Sequence, residues 1–291
     1  MHEARNIVKL SKSSPTLEGG GVRLKRAFGP EDAGMLDPFL LLDHFGSNDP
    51  EDYKAGFPMH PHRGMETVTY MLKGTMEHKD STGRAGVINA GDVQWMTAGS
   101  GIMHQEMPVK SPGGMDGFQL WVNIPKAQKM MDPRYRDVRK DTIPEIELDS
   151  GATVKVIAGS INGIVGPVRD LIVPVEYLDV SLRPDGSFTR EIARENNVFA
   201  FVFEGGARFG KDGPLVETEH LAIFGTGDEV KIDAGPEGAR FLLVSGRPIK
   251  EPIAWGGPVV MNTEEELQAA FREIRSGHFI RSAVPVKTGL K

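Results

Sequence analysis

The chain contains no cysteine, which removes disulfides, thiolate metal sites, iron–sulfur clusters and cysteine nucleophiles at once. Any metal must be held by nitrogen and oxygen. No stretch approaches the ~18 apolar residues that span a bilayer, and the amino-terminal MHEARNIVKLSKSSPTLEGGGVRLKRAFG has no apolar signal core. A soluble, cytoplasmic protein with no membrane partner is expected. Nor is there a basic stripe: 34 Lys and Arg are scattered among 40 Asp and Glu, for a formal net charge of −6. Direct nucleic-acid binding is not expected of such a surface. A glycine-rich phosphate loop followed by Lys-Ser/Thr and a Gly-x-Ser-x-Gly elbow are also missing, so nucleotide hydrolysis and serine-nucleophile chemistry have no support.

What is abundant is punctuation. The 291 residues include 35 Gly and 20 Pro, with 39% hydrophobic residues left to fill interiors. The length is about twice that of a common domain, which suggests two similar domains. Short apolar or alternating runs such as ETVTYML, AGVINAG, DVQWMTAG and FQLWVNIP, separated by turn residues, favour a sandwich or barrel over helix-linked parallel strands. The charged, proline-punctuated stretch Lys129 to Leu148 reads as the connection to a second half, where the strand pattern resumes with ATVKVIAG.

An internal repeat supports this division. YMLKG (Tyr70–Gly74) aligns with FVFEG (Phe201–Gly205), and AGDVQWMTAG (Ala90–Gly99) with TGDEVKIDAG (Thr226–Gly235). One helix is legible near the carboxy terminus. Thr263 and Glu266 form a capping box, Leu267, Ala270, Phe271 and Ile274 make an apolar face, and Gly277 supplies the stop.

Two short motifs carry the chemistry. Residues i and i+2 of a strand share a face, so His60 and His62 project together, and Glu66 has the same parity. The run AGSGIMHQEMP repeats the device with His104 and Glu106. A lone His-x-His is more often a surface or hydrogen-bonded feature than a metal site. Here a second pair follows a Gly-rich turn, and the repeat replaces all five donors: His60, His62 and Glu66 fall on Glu191, Ala193 and Asn197, and His104 and Glu106 on Arg240 and Leu242. A metal is therefore expected in the first half only. Imidazole and carboxylate donors with open positions suit Fe(II), and also Mn, Ni, Cu or Zn. His44 and His78 read as structural or exposed, and His220 and His278 have no neighbouring donors. Tyr53, Phe57, Met59, Met65, Met76 and Trp95 fit either a pocket lining or plain core.

Gly56, His60, His62, Glu66 and Gly74 resemble the first cupin motif, and Gly91, Asp92, Gly99, Gly101 and His104 the second. More narrowly, FLLLDHFG, HPHRGMETVTYMLKG, GDVQWMTAGSGIMHQE, GFQLWVN and GPVVMNTEEELQAAFREIRSG resemble the pirin family, from about residue 20 to 280. The resemblance implies an all-β bicupin: two jelly-roll β-barrels face to face with a few short helices. Residues 1–140 would form the metal-binding cupin domain. Residues 141–291 would form a cupin domain without metal ligands, ending in a helix near 263–276. It further implies a mononuclear iron held by His60, His62, His104 and Glu106, with Glu66 as a supporting or alternative ligand. Two functions are implied. One is a dioxygenase that cleaves a flavonol such as quercetin with O2 and releases CO, Glu106 or Glu66 acting as the base. The other is an iron-dependent, redox-sensing partner of a transcription factor or metabolic enzyme. A substrate unrelated to flavonols is also compatible, because a cupin site fixes its metal better than its substrate.

Overall fold

The computed structural model describes residues 2–109, 113–210 and 213–281. Within them the punctuated apolar runs fold almost entirely as strands, with two α-helices, Ala33–Leu36 and Glu264–Ser276, among the described residues. No helix is long and apolar enough to cross a membrane.

The strands gather into two compact units. One takes the chain up to Ser14, Arg26–Leu40 and Asp141–Ile249; the other takes Pro15–Lys25, Leu41–Lys140 and the chain from Lys250 onward. These are not the contiguous 1–140 and 141–291 suggested by the sequence, because the two ends of the chain are exchanged. The amino-terminal strand Ile7–Lys12 pairs with His220–Phe224. Just before it, the buried Arg5 guanidinium donates to the carbonyls of Asn196, Gly225 and Ala193. At the other end, the helix Glu264–Ser276 joins the unit of the first half, where Leu267 and Ala270 pack with Val259, Met261, Phe279 and Met103. Its capping box and its left-handed Gly277 stop are as the sequence indicates.

The unit of the second half is a nine-stranded sheet. Its interior is closed by apolar side chains, among them Val154, Leu178, Val202, Phe209, Phe224 and Phe241. Arg240, at the repeat position of His104, is held two-pronged by Asp179 at 3.0 and 2.8 Å. Hydrocarbon fills this interior, and the Arg240–Asp179 pair lies on the other face of the sheet, since both residues alternate with the inward Phe241, Leu178 and Val180.

The other unit has two large sheets and the two-stranded hairpin of Ala254–Gly256 and Val259–Met261. The seven-stranded one runs in the order Arg134–Val138, Val93–Thr97, Met65–Lys73, Met115–Asn123, Phe39–Ser47, Val22–Phe28, Ser14–Glu18. The four-stranded one runs Phe57–His62, Ile102–Val109, Thr75–Asp80, Ala85–Asn89. Side chains of the two sheets meet between them: Thr69 and Gln119 of the first bond Glu106 of the second. The Lys129–Leu148 stretch is not a bare connection, since Arg134–Val138 pairs antiparallel with Val93–Thr97. Its charges misled the sequence reading because they alternate with Tyr135, which turns inward toward His78.

Gly64 separates the two sheets. It adopts φ +77, and a Cβ there would stand 2.0 Å from the Val260 carbonyl oxygen, a distance no side chain tolerates. The chain therefore ends the strand Phe57–His62 and restarts at Met65 in the opposite sheet. Lys129 locks the turn. Its buried ammonium donates to the Gly64 carbonyl (2.8 Å), Asn123 Oδ1 (2.7 Å) and the Val260 carbonyl (3.0 Å), using all three protons. Replacing it by methionine takes the donor from three buried acceptors, of which Asn123 Oδ1 keeps the Ile124 N–H. Lys129→Met is expected to lower stability by about 3 kcal/mol, at 1–3 per orphaned group less the relief of a buried charge, read as a fall in the urea midpoint at unchanged slope.

Candidate metal centre

The four-stranded sheet supplies the histidines. His60 and His62 alternate inward along Phe57–His62, and antiparallel pairing sets His104 opposite His60. The donor atoms of His60, His62 and His104 all lie within 4.8 Å of one another. His60 Nε2 and His62 Nε2 are 3.0 Å apart. The ring centroids of His104 lie 4.4 Å from His60 and 5.0 Å from His62.

A backbone carbonyl sets the His60 tautomer. Pro58 O can only accept, so His60 Nδ1, 2.9 Å away, carries the proton and Nε2 presents a lone pair. Burial lowers the pKa of both inner rings: well below the ordinary value for His62, and to about 4 for His104, where Glu106 opposes the shift. Burial thus favours the neutral form of His62 and His104. The 3.0 Å between His60 Nε2 and His62 Nε2 is a hydrogen-bond distance at which one ring donates to the other. The same spacing fits two adjacent ligands of one cation, since metal–nitrogen bonds of about 2.1 Å at a right angle separate their nitrogens by about 3 Å. His104 has no hydrogen-bond partner at either ring nitrogen. The donor set therefore fits a divalent metal, with the outer nitrogen of His60 oriented by the Pro58 carbonyl as in metal-bound histidines.

The two glutamates part company. Glu106 is buried two residues beyond His104 on the same inward face. Thr69 Oγ1 donates to its Oε1 at 2.9 Å and Gln119 Nε2 to its Oε2 at 3.1 Å. Its carboxylate stands outside the tight group of three, reaching across to the opposite sheet. Glu66 does not share the histidines' face. The parity argument carried one strand through Arg63 and Gly64, where the chain in fact breaks. Within the regular Met65–Lys73 strand, Thr69 faces the interior, so Glu66, three residues earlier, points out of the opposite face. There it accepts a 2.6 Å bond from its cross-strand partner Thr97. Burial raises its carboxyl pKa, while Thr97, Trp95 and the Arg136 and Arg134 guanidiniums pull it back.

Other residues line the interior that the sequence reading passed over. His78, set aside as structural or exposed, is buried, sits opposite Glu106 in register, and stacks on Tyr135 with centroids 5.5 Å apart. Room for it comes from Gly86, whose Cβ would stand 2.4 Å from His78 Nε2. Burial and the nearby Asp80 and Glu106 carboxylates raise the Tyr135 phenol. Strand alternation alone could have found Thr69, Gln119 and Trp121, which share one parity across two paired strands. Of the residues weighed as lining, Tyr53 and Met76 belong to an apolar cluster with Phe57 packed against it, Met59 is exposed, and Trp95 turns to the face of Glu66. His44 stacks on Phe118 and pairs with Asp116 at 2.8 Å.

A sequence model of the family described as Pirin matches residues 21–122, and one described as Pirin C-terminal cupin domain matches residues 177–280. The chain belongs to the pirin family. Its fold is accordingly a bicupin. A pirin-like protein of Caulobacter vibrioides is 47% identical over 276 residues, covering 94% of this chain and 99% of that one. Human Pirin is 41% identical over 280 residues, covering 95% and 94%. Among solved structures, a quercetin 2,3-dioxygenase of Acinetobacter baumannii superposes with a TM-score of 0.87 at 33% identity, covering 97% of this chain and all of that one.

Two outcomes follow from the geometry. Glu106→Gln is expected to cut retained metal by about tenfold or more at equal dialysis, while Glu66→Gln leaves the metal content near that of the parent, both read by elemental analysis. For the metal-free protein, an unfolded histidine takes up its proton near 6.5 but folded His104 only near 4. The unfolded state binds more protons in that window, so stability falls as pH drops through it, by roughly 3 kcal/mol at about 1.4 per unit, read from urea midpoints.

Proposed function

We propose that this pirin is a metal-dependent dioxygenase that cleaves a flavonol such as quercetin with O2 and releases CO. Its metal is taken as Fe(II) in preference to Ni, Mn, Cu or Zn, held by His60, His62, His104 and Glu106. The observation that carries the reading is the trio of imidazoles whose ring nitrogens converge within 4.8 Å of one another beside a buried carboxylate. The likeness to the Acinetobacter baumannii quercetin 2,3-dioxygenase over nearly the whole chain supports the substrate class.

When bound, the metal supplies Lewis acidity toward the 3-hydroxyl and 4-keto oxygens of the flavonol and a redox centre for oxygen. The protein's own groups do the rest. His62 and His104 stay neutral as the solution acidifies, because burial disfavours their protonated forms. Glu106 accepts the 3-hydroxyl proton at a carboxylate oxygen, and Thr69 and Gln119 hold that carboxylate in place from the facing strands. Glu66, on the other face of its strand, takes no part. The barrel wall around them keeps bulk water from the deprotonated ligand.

Mixed anaerobically with quercetin, the iron-loaded protein is expected to shift the flavonol absorption to longer wavelength. Admission of air should then release one equivalent of CO per quercetin consumed, as the reaction stoichiometry requires. Absence of turnover with fully loaded iron, nickel, manganese and copper forms would overturn the dioxygenase in favour of an iron-dependent regulatory protein.

A further inference from the structure

Two indoles border the histidine cluster. Trp121, on the inward face of Met115–Asn123, meets His62 edge-to-face at 5.2 Å. Trp255 comes from the hairpin of Ala254–Gly256 and Val259–Met261 and lies 6.0 Å from Trp121, the planes inclined at 41°. Both are partly exposed, whereas Trp95 is sealed in the core.

Neither indole needs a ligand to satisfy its N–H. Trp121 donates to Gln119 Oε1 at 2.9 Å and Trp255 to the Gly257 carbonyl at 2.7 Å. Each ring is thereby pinned by its N–H, and what remains of each indole for a ligand is its apolar carbon framework. The hairpin is itself tied to the histidine strand: Val260 N–H donates to the Arg63 carbonyl at 3.0 Å, and Lys129 bridges Gly64 to Val260. Gln119, which accepts from Trp121, donates to Glu106. The aromatic surface, the histidines and the carboxylate therefore form one connected, rigid group, and two tryptophans partly open to water beside a chelating site suit a flat, conjugated ligand.

We propose that Trp121 and Trp255 form a ring-binding subsite that grips a planar aromatic ligand whose chelating oxygens face the histidines. Trp255, supplied from the carboxy-terminal segment, sets the preference for extended ring systems over small chelators. The inference rests on the flavonol reading of the metal centre and names the surface that selects the ligand.

The test uses the full chain loaded with Ni(II) under nitrogen, and two probes with the same 3-hydroxy-4-oxo pair. One is 3-hydroxyflavone, with extended rings; the other is maltol, a single ring. The parent protein is expected to bind 3-hydroxyflavone more tightly. Trp255→Ala should weaken 3-hydroxyflavone about tenfold and maltol by less than about twofold, and Trp255→Phe should stay within about threefold of the parent, as ring stacking predicts. Nickel content should be equal in all. Unchanged affinity of Trp255→Ala for 3-hydroxyflavone, equal losses for both probes, or a parent protein that does not prefer 3-hydroxyflavone overturns the subsite. Aerobic assay of the iron form keeps the two readings apart: the expected binding pattern without CO release removes the dioxygenase alone.

Discussion

The metal centre depends on one close approach, that of the Val260 carbonyl to Gly64. Because nothing larger than hydrogen fits there, the chain can end the histidine strand, reverse, and begin the next strand in the facing sheet. Glu106 of the histidine sheet then meets Thr69 and Gln119 of the facing sheet in one interior. The approach is maintained by two fully buried cations. Lys129 joins Gly64 to Val260, and Arg63 joins the Ser100 carbonyl, the Phe279 carbonyl and Glu273 while its guanidinium lies 4.2 Å over the Phe279 ring. Burying a charge is costly unless every proton is received, and here backbone carbonyls and side-chain oxygens receive them.

The same interior separates two carboxylates that look equivalent in the sequence. Glu66 and Glu106 are both nearly inaccessible, yet only one can reach the histidines. Glu106 is hydrogen-bonded by neutral groups from the facing sheet, a setting from which a carboxylate can bind a cation or take a proton. Glu66 is committed to Thr97 across its own strand pair, in the field of two arginines, and so belongs to the sheet's internal bonding.

The sequence made the local features legible. The two-residue spacing of His60 with His62 and of His104 with Glu106 holds because each pair lies within one uninterrupted strand. The helix after Thr263 was readable because capping and apolar periodicity are both local signals. What failed was inference across a break. The parity of Glu66 was carried through Gly64, whose left-handed turn resets it. Arg134–Val138 looked like a linker because its inward Tyr135 is flanked by charges. Lys129, buried with three acceptors, cannot be told from a surface lysine by any pattern along the chain.

The exchange of chain ends sets an order of events during synthesis. All four candidate ligands have been made by residue 106, but Trp255, the Val260 carbonyl, Glu273 and the Phe279 carbonyl come some 150 or more residues later. A growing chain thus carries the histidines long before it has the segment that braces the turn between them and the opposite sheet. The unit of the first half is completed only after Asp141–Ile249 of the other unit has been made, so the four candidate ligands wait through that whole stretch for the segment that braces them.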